Sequence, residues 1–159
     1  VPTPEPQASK LGDAFKLRDG TVVDHLPAGT AARALGLLKL PREGPVTVGM
    51  NVPSTRHGKK DIVRVEGLVL KKAELDRLAL LGRQITVSIV RGGMVTHKQV
   101  LEVPEQVEGI LICPNPTCIT RGESVSTVFH RQGDYPYRFR CHHCERVMAG
   151  EAAQRSLAQ

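Results

Sequence analysis

Apolar residues in the first two-thirds of the chain change period several times, and each change marks an element. Val46, Val48, Met50 and Val52 alternate with other positions, which predicts a strand over 45–52. The turn-forming run Pro53-Ser54-Thr55-Arg56-His57-Gly58 follows, and alternation resumes over 60–66 through Ile62, Val63 and Val65. Together these read as a β-hairpin with a six-residue basic loop. Upstream, Ala31, Ala34, Leu35 and Leu38 recur at helical spacing, predicting a helix over 28–40 that Pro41 stops. A second amphipathic helix is expected over 72–81, with Leu75, Leu78, Ala79 and Leu81 on one side and Gly82 as its natural end. Strands follow over 84–90 and 94–103, joined by the tight turn Arg91-Gly92-Gly93. Ahead of the first helix, 14–18 reads as a short strand punctuated by Gly20-Thr21, with a brief apolar step at Val22-Val23.

The order strand, helix, strand, strand, helix, strand, strand is that of a ferredoxin-like split βαβ unit with an extra hairpin strand. Residues 1–10, with three prolines and few apolar groups, read as a disordered tail. The α+β unit then occupies 11–104, and Pro104-Glu105 is the expected hinge to a second domain over 105–159.

Cysteine usage defines that second domain. Cys113 and Cys118 form a C-x4-C pair, Cys141 and Cys144 a C-x2-C pair, and the first 112 residues contain none. Two close pairs on tight turns are what a tetrahedral Zn²⁺ requires, so one structural ion per chain is expected, held by these four thiolates. The rival is a pair of disulfides. It is disfavoured because the first ten residues show no apolar core of a secretory signal, which points to a cytoplasmic protein. His142 and His143 lie inside the second pair; in such a knuckle the middle residues face away from the metal, so they are expected as exposed turn residues. A site closed by four sulfurs leaves no position for water or substrate, so the metal serves folding and not catalysis.

Composition sharpens this division. Four of the five aromatic residues (Phe129, Tyr135, Tyr137 and Phe139) fall in the cysteine unit, which has little aliphatic core. The net charge is +6, yet 105–159 carries six basic and six acidic residues, so the whole excess lies in 1–104. Four metal-bound thiolates would make the cysteine unit negative. That distribution tells against the alternative function, a zinc-ribbon nucleic-acid-binding module, because such ribbons carry the positive charge themselves. No stretch approaches the length needed to span a membrane as a helix.

No catalytic constellation emerges: there is no phosphate-cradling Gly-rich loop, no H-E-x-x-H and no G-x-S-x-G. Asp24-His25 is the sole adjacent acid and imidazole. Neighbours on a strand point to opposite faces, so as a pair they are weak evidence for an acid–base enzyme. His25, His57 and His97 default to surface or structural roles.

Several ordered motifs together resemble one family, the regulatory chain of aspartate carbamoyltransferase. They are Gly20-Thr-Val-Val-Asp-His-Leu-Pro27, Thr47-Val-Gly-Met-Asn-Val-Pro53, Gly58-Lys-Lys-Asp-Ile-Val-Arg-Val-Glu66, the run 75–80, Cys113-Pro-Asn-Pro-Thr-Cys118 and Cys141-His-His-Cys144. The resemblance covers the chain from about Lys10 to near its end. It implies a non-catalytic, cytoplasmic subunit of pyrimidine biosynthesis whose front domain binds nucleoside triphosphates. The effectors implied are CTP, ATP and, as a further nucleotide, UTP. The implied partners are the catalytic chain, on which the zinc domain docks, and a second regulatory chain; neither nucleic acid nor membrane is among them.

Carried over residue by residue, the resemblance implies that Asp24 meets the ribose hydroxyls, that His25 lies near the phosphates, and that Lys98 binds them. Val90 and Val95 flank the base, and Phe15, Lys16 and Leu17 line the pocket from the first strand. A triphosphate suits an ammonium point charge, a ribose a carboxylate acceptor, and a base a dry slot with backbone hydrogen bonds. Three positions depart from the family pattern: Arg64 replaces a lysine beside the base, Ser88 an asparagine, and Gly93 a bulkier residue. These departures bear on which nucleotide acts in which direction.

Overall fold

A computed structural model describes residues 16–157. The expected tail over 1–10, Phe15, and the start of the 14–18 strand lie outside that range. Two antiparallel sheets organise the described chain. The first is built from β1 (Gly20–Pro27), β2 (Val46–Ser54), β3 (Gly58–Glu66), β4 (Thr86–Arg91) and β5 (Met94–Val100), in the spatial order β2-β3-β1-β4-β5. Helices α1 (Ala31–Leu37) and α2 (Lys72–Ala79) connect β1 to β2 and β3 to β4. Each crossover skips one strand, and every neighbouring pair is antiparallel. This is the ferredoxin-like split βαβ, extended by β5 at the edge.

The first strand is where the expectation fails. It starts at Gly20, the described residues 16–18 form no strand, and Gly20-Thr21 belongs to it. Thr21 is buried because its hydroxyl donates to the Leu68 carbonyl, so a polar residue sits in the core face with its hydrogen bond satisfied. Gly20 is needed for close approach: a Cβ there would lie 2.1 Å from the Val65 carbonyl oxygen. Both residues therefore act as strand residues through partners remote in sequence. The hairpin loop is also tighter than six residues. Ser54 pairs with Gly58, leaving Thr55, Arg56 and His57 at the tip.

Helix α1 is shorter than its apolar pattern. Its end is closed by Leu40 N–H to Leu35 C=O at 2.9 Å and Lys39 N–H to Gly36 C=O at 3.1 Å, with Lys39 at φ 52. That is a Schellman closure with lysine in the left-handed position usually given to glycine. Ala31, Ala34 and Leu37 of α1 and Leu78 and Ala79 of α2 are buried, covering Val23, Val63, Val65 and Val87 on one face of the sheet.

The second sheet is a meander of β6 (Gln106–Glu108), β7 (Val128–Gln132), β8 (Arg138–Cys141) and β9 (Val147–Ala149). A single turn, α3 (Ile119–Gly122), and a short helix, α4 (Gly150–Arg155), complete it. Phe129 and Phe139 are fully buried at its centre, as the aromatic concentration implied. Pro104-Glu105 is flanked by buried Val103 and Val107, and one continuous apolar cluster runs from Val23 to Leu157 through both sheets.

Candidate functional site

Strand register brings most of the selected residues onto one face of the five-stranded sheet. Val22 of β1 lies between Arg64 of β3 and Ser88 of β4, and Ser88 pairs in turn with Lys98 of β5. The next row places Gly20 beside Val90, which pairs with Val95, and the row on the other side sets Asp24 opposite Thr86. Side chains two residues apart on a strand share a face. Asp24, Arg64, Ser88, Val90 and Lys98 thus share the face opposite the helices, and Val95 joins them through its pairing with Val90 across a register shift between Ile89 and Val90. From Arg64 to Lys98 the row crosses three inter-strand gaps, about 14 Å.

Lys16 and Leu17 precede β1, Lys16 exposed and Leu17 half-buried. Their segment is tied to the β4–β5 turn: Gly93 N–H donates to the Arg18 carbonyl at 2.8 Å and Gly92 N–H to Asp19 Oδ1 at 3.0 Å. They therefore stand at the Val90–Val95 end of the face.

Asp24 and His25 are brought together by a β-bulge. Between the pairs Val23–Val63 and Leu26–Asp61, two residues of β1 face the single Ile62 of β3, and His25 takes φ 59. The extra residue re-aims both side chains, which plain alternation would have sent apart. Asp24 Oδ1 accepts from the His25 N–H at 2.6 Å, and His25 Nδ1 lies 2.7 Å from Thr86 Oγ1. Lys60 completes the cluster, its Nζ 2.8 Å from Asp24 Oδ1 and 3.1 Å from Oδ2.

Burial opposes ionisation of Asp24, but the Lys60 ammonium and the His25 N–H outweigh it and hold the carboxyl below its usual range. For His25, burial and the neighbouring Lys60, Arg56 and His57 outweigh the attraction of Asp24 and push the imidazole below its ordinary value, so it is neutral at pH 7. The arrangement offers an ionised carboxylate acceptor, a neutral imidazole and ammonium groups around a face with aliphatic positions.

Lys60 and Thr86 went unrecognised in the sequence because their link to Asp24-His25 exists only through sheet pairing. Asp61 is a further omission. Its carboxylate is fully buried, and it accepts from the N–H groups of Gly29 at 2.9 Å, Ala31 at 3.0 Å and Asn51 at 2.9 Å. Asn51, at φ 56, belongs to a second bulge, between β2 and β3. One carboxylate thereby ties the start of α1 to the second bulge, beside the Asp24 cluster. The only sequence signal was an acid within an alternating strand, at a position expected to be apolar.

The cysteines converge as their spacing requires. The four Sγ atoms all lie within 4.8 Å of one another, with Cys113–Cys144 at 3.6 Å and Cys118–Cys141 at 3.9 Å. Sulfurs 2.3 Å from a central ion at tetrahedral angles stand about 3.8 Å apart, whereas disulfide sulfurs stand about 2.05 Å apart. The donor set therefore fits a metal and not two disulfides. The first turn is shaped by Asn115 Oδ1, which accepts from Thr117 N–H at 3.1 Å and Thr117 Oγ1 at 2.9 Å. The second is closed by Glu145 N–H to Cys141 C=O at 2.9 Å, with Glu145 at φ 63.

Thiol environments differ across the cluster. Burial pushes Cys113 up to about 12. Cys144 is drawn down to about 6, because bonds to the Asn115 side chain and the Arg146 N–H outweigh its burial. A cation that stabilises all four thiolates removes that conflict. His142 and His143 lie on the surface, bonded to His130 Nε2 at 3.1 Å and to the Ser126 carbonyl at 3.2 Å, away from the sulfurs as expected.

Two family matches cover nearly all of these features. Residues 14–102 match the family described as aspartate carbamoyltransferase regulatory chain, allosteric domain, and residues 105–154 match its metal binding domain. Among curated proteins, the aspartate carbamoyltransferase regulatory chain of Pyrococcus horikoshii is 47% identical over 138 residues, covering 85% of this chain and 91% of the relative. The protein of the same name from Methanocaldococcus jannaschii is 40% identical over 133 residues, covering 84% and 89%. That from Thermococcus kodakarensis is 39% identical over 141 residues, covering 87% and 93%.

Proposed function

The chain belongs to the aspartate carbamoyltransferase regulatory chain family, and from that premise we propose that it binds nucleoside triphosphates, CTP and ATP, on the open face of its first sheet and so modulates a catalytic chain. The chain itself is non-catalytic. The observation that carries the nucleotide reading is the alignment of six selected residues on one sheet face, with Asp24, His25 and Lys60 clustered at one end. Lys98 supplies an ammonium to the phosphates, Asp24 accepts from the ribose, and Val90 and Val95 flank the base. Arg64 and Ser88 contribute polar contacts along the same row, with Lys16 and Leu17 at its edge.

The metal is Zn²⁺, one per chain, held by Cys113, Cys118, Cys141 and Cys144. It shapes the second domain as the docking surface for the catalytic chain. The first domain spans 11–104 and the metal domain 105–159. Exposed Val48 and Met50 on β2, or Met94, Val95 and Val100 on β5, give the sheet edges on which a second regulatory chain would pair. An effector acts only through different affinities for two quaternary states, so binding of nucleotide and the shift it causes must be reciprocal.

The test is calorimetric titration of the full chain with CTP and with ATP. Lys98→Ala removes one charge-assisted phosphate contact and is expected to weaken both nucleotides about tenfold or more. Zinc content and assembly should stay unchanged, because Lys98 is exposed and remote from the cysteines in the fold. Equal affinities in the two proteins would reject the assigned face.

A further inference from the structure

A second cleft lies between the two sheets and touches the residues of the proposed nucleotide site only at His25. Its volume is about 930 Å³, within the range of small-molecule sites. Pro27, Ala28 and Leu81 line it from the first domain, and Tyr135, Glu151 and Gln154 from the second. Gln154 Nε2 donates to the Leu81 carbonyl across the cleft at 3.3 Å.

Its ionisable groups are unbalanced. His25, His57, Lys59 and Arg83 line the cleft against the single acid Glu151, and Arg56 adjoins His57 on the hairpin tip. Among the described residues, Arg56, Lys59 and Arg83 make no ion pair, whereas the neighbouring Lys60 is held by Asp24. The Arg83 guanidinium stacks 4.7 Å above the Tyr135 ring, which fixes its position without neutralising it. The His25 and His57 rings stand 6.2 Å apart, centroid to centroid. With His25 neutral, the positive charge at the cleft comes from Lys59 and Arg83, with Arg56 adjoining, and it raises the local concentration of anions.

We propose that this inter-domain cleft is an anion site for the phosphate groups of a polyphosphate or phosphate ester, with His57, Lys59 and Arg83 as its binding side chains. Its apolar wall accommodates the uncharged part of such a ligand. Residues of both domains line it, so its occupancy favours the domain arrangement seen here over any that opens the cleft. Its binding side chains are separate from those assigned to the sheet face. Its phosphates come either from the tail of a nucleotide reaching past His25 or from a separate phosphorylated molecule.

Titration of the full-length chain with inorganic tripolyphosphate tests this, comparing the native chain, the double variant H57A/K59A and Lys98→Ala. His57 and Lys59 are exposed at the hairpin, so the double variant is expected to keep its unfolding temperature and metal content. The proposal predicts at least a tenfold loss of tripolyphosphate affinity in H57A/K59A and less than threefold in Lys98→Ala. Competition between tripolyphosphate and CTP in the native chain would assign the phosphates to the nucleotide tail, and simultaneous binding would assign them to a separate ligand. Equal affinity in the native chain and H57A/K59A, or no binding at millimolar tripolyphosphate, would overturn the proposal.

Discussion

Cys113→Ser is expected to release the metal, unfold the second domain and abolish association with the catalytic chain. Cys113 is fully buried, and its sulfur lies 3.6 Å from that of Cys144, inside the cluster. A structural zinc site contributes about 10–16 kcal/mol of binding free energy, and in a domain this small that energy is folding free energy. The apolar core around Phe129 and Phe139 cannot replace it. The five-stranded sheet keeps its own core under α1 and α2, so nucleotide affinity should change by less than about threefold, under 1 kcal/mol. Metal content, amide exchange and co-elution with the catalytic chain measure the three losses. A variant that still carries one equivalent of zinc and co-elutes normally would refute the docking role of the cluster.

Asp61→Ala should be the most damaging single change in the first domain. It removes the buried acceptor of three backbone N–H groups, that of the fully buried Ala31 and those of the exposed Gly29 and Asn51. Hydrogen bonds to a charged acceptor contribute about 1.5–3 kcal/mol each, and the removed desolvation of the carboxylate offsets part of that. A net loss of about 3 kcal/mol follows, or roughly 10 °C or more in the unfolding temperature of a domain this size. Because Asp61 adjoins Lys60 in β3 and faces Leu26 at the end of the β1 bulge, the variant should also loosen the approach of Lys60 to Asp24 and bind nucleotide more weakly. An unchanged unfolding temperature would show that water satisfies those donors. The whole effect would then be local.

The two helices and the hairpin were legible because they bury one face each, and burial of one face imposes a period on the sequence. The sulfur cluster was legible because tight turns fix ligand spacing locally. The first strand was not, since Gly20 and Thr21 are strand residues only by virtue of Val65 and Leu68, far along the chain. The same reason hid Lys60, Thr86 and Asp61. Each gains its role from strand register or from a bulge, and a bulge is one unpaired residue with no compositional signature of its own. The resemblance of the Gly20–Pro27 motif supplied Asp24 and His25; φ 59 at His25 explains how those two neighbours come together.

The central claim is that nucleotide bound by this chain changes the activity of another. The most direct measurement is carbamoyl-transfer activity of the reconstituted complex at sub-saturating aspartate, titrated with CTP and with ATP, alongside the isolated catalytic chain. The account predicts that at least one nucleotide shifts activity severalfold in the complex, has no effect on the catalytic chain alone, and loses its effect when Lys98→Ala replaces the native regulatory chain. Activity that is indifferent to both nucleotides in the complex, or equally responsive without the regulatory chain, would contradict it.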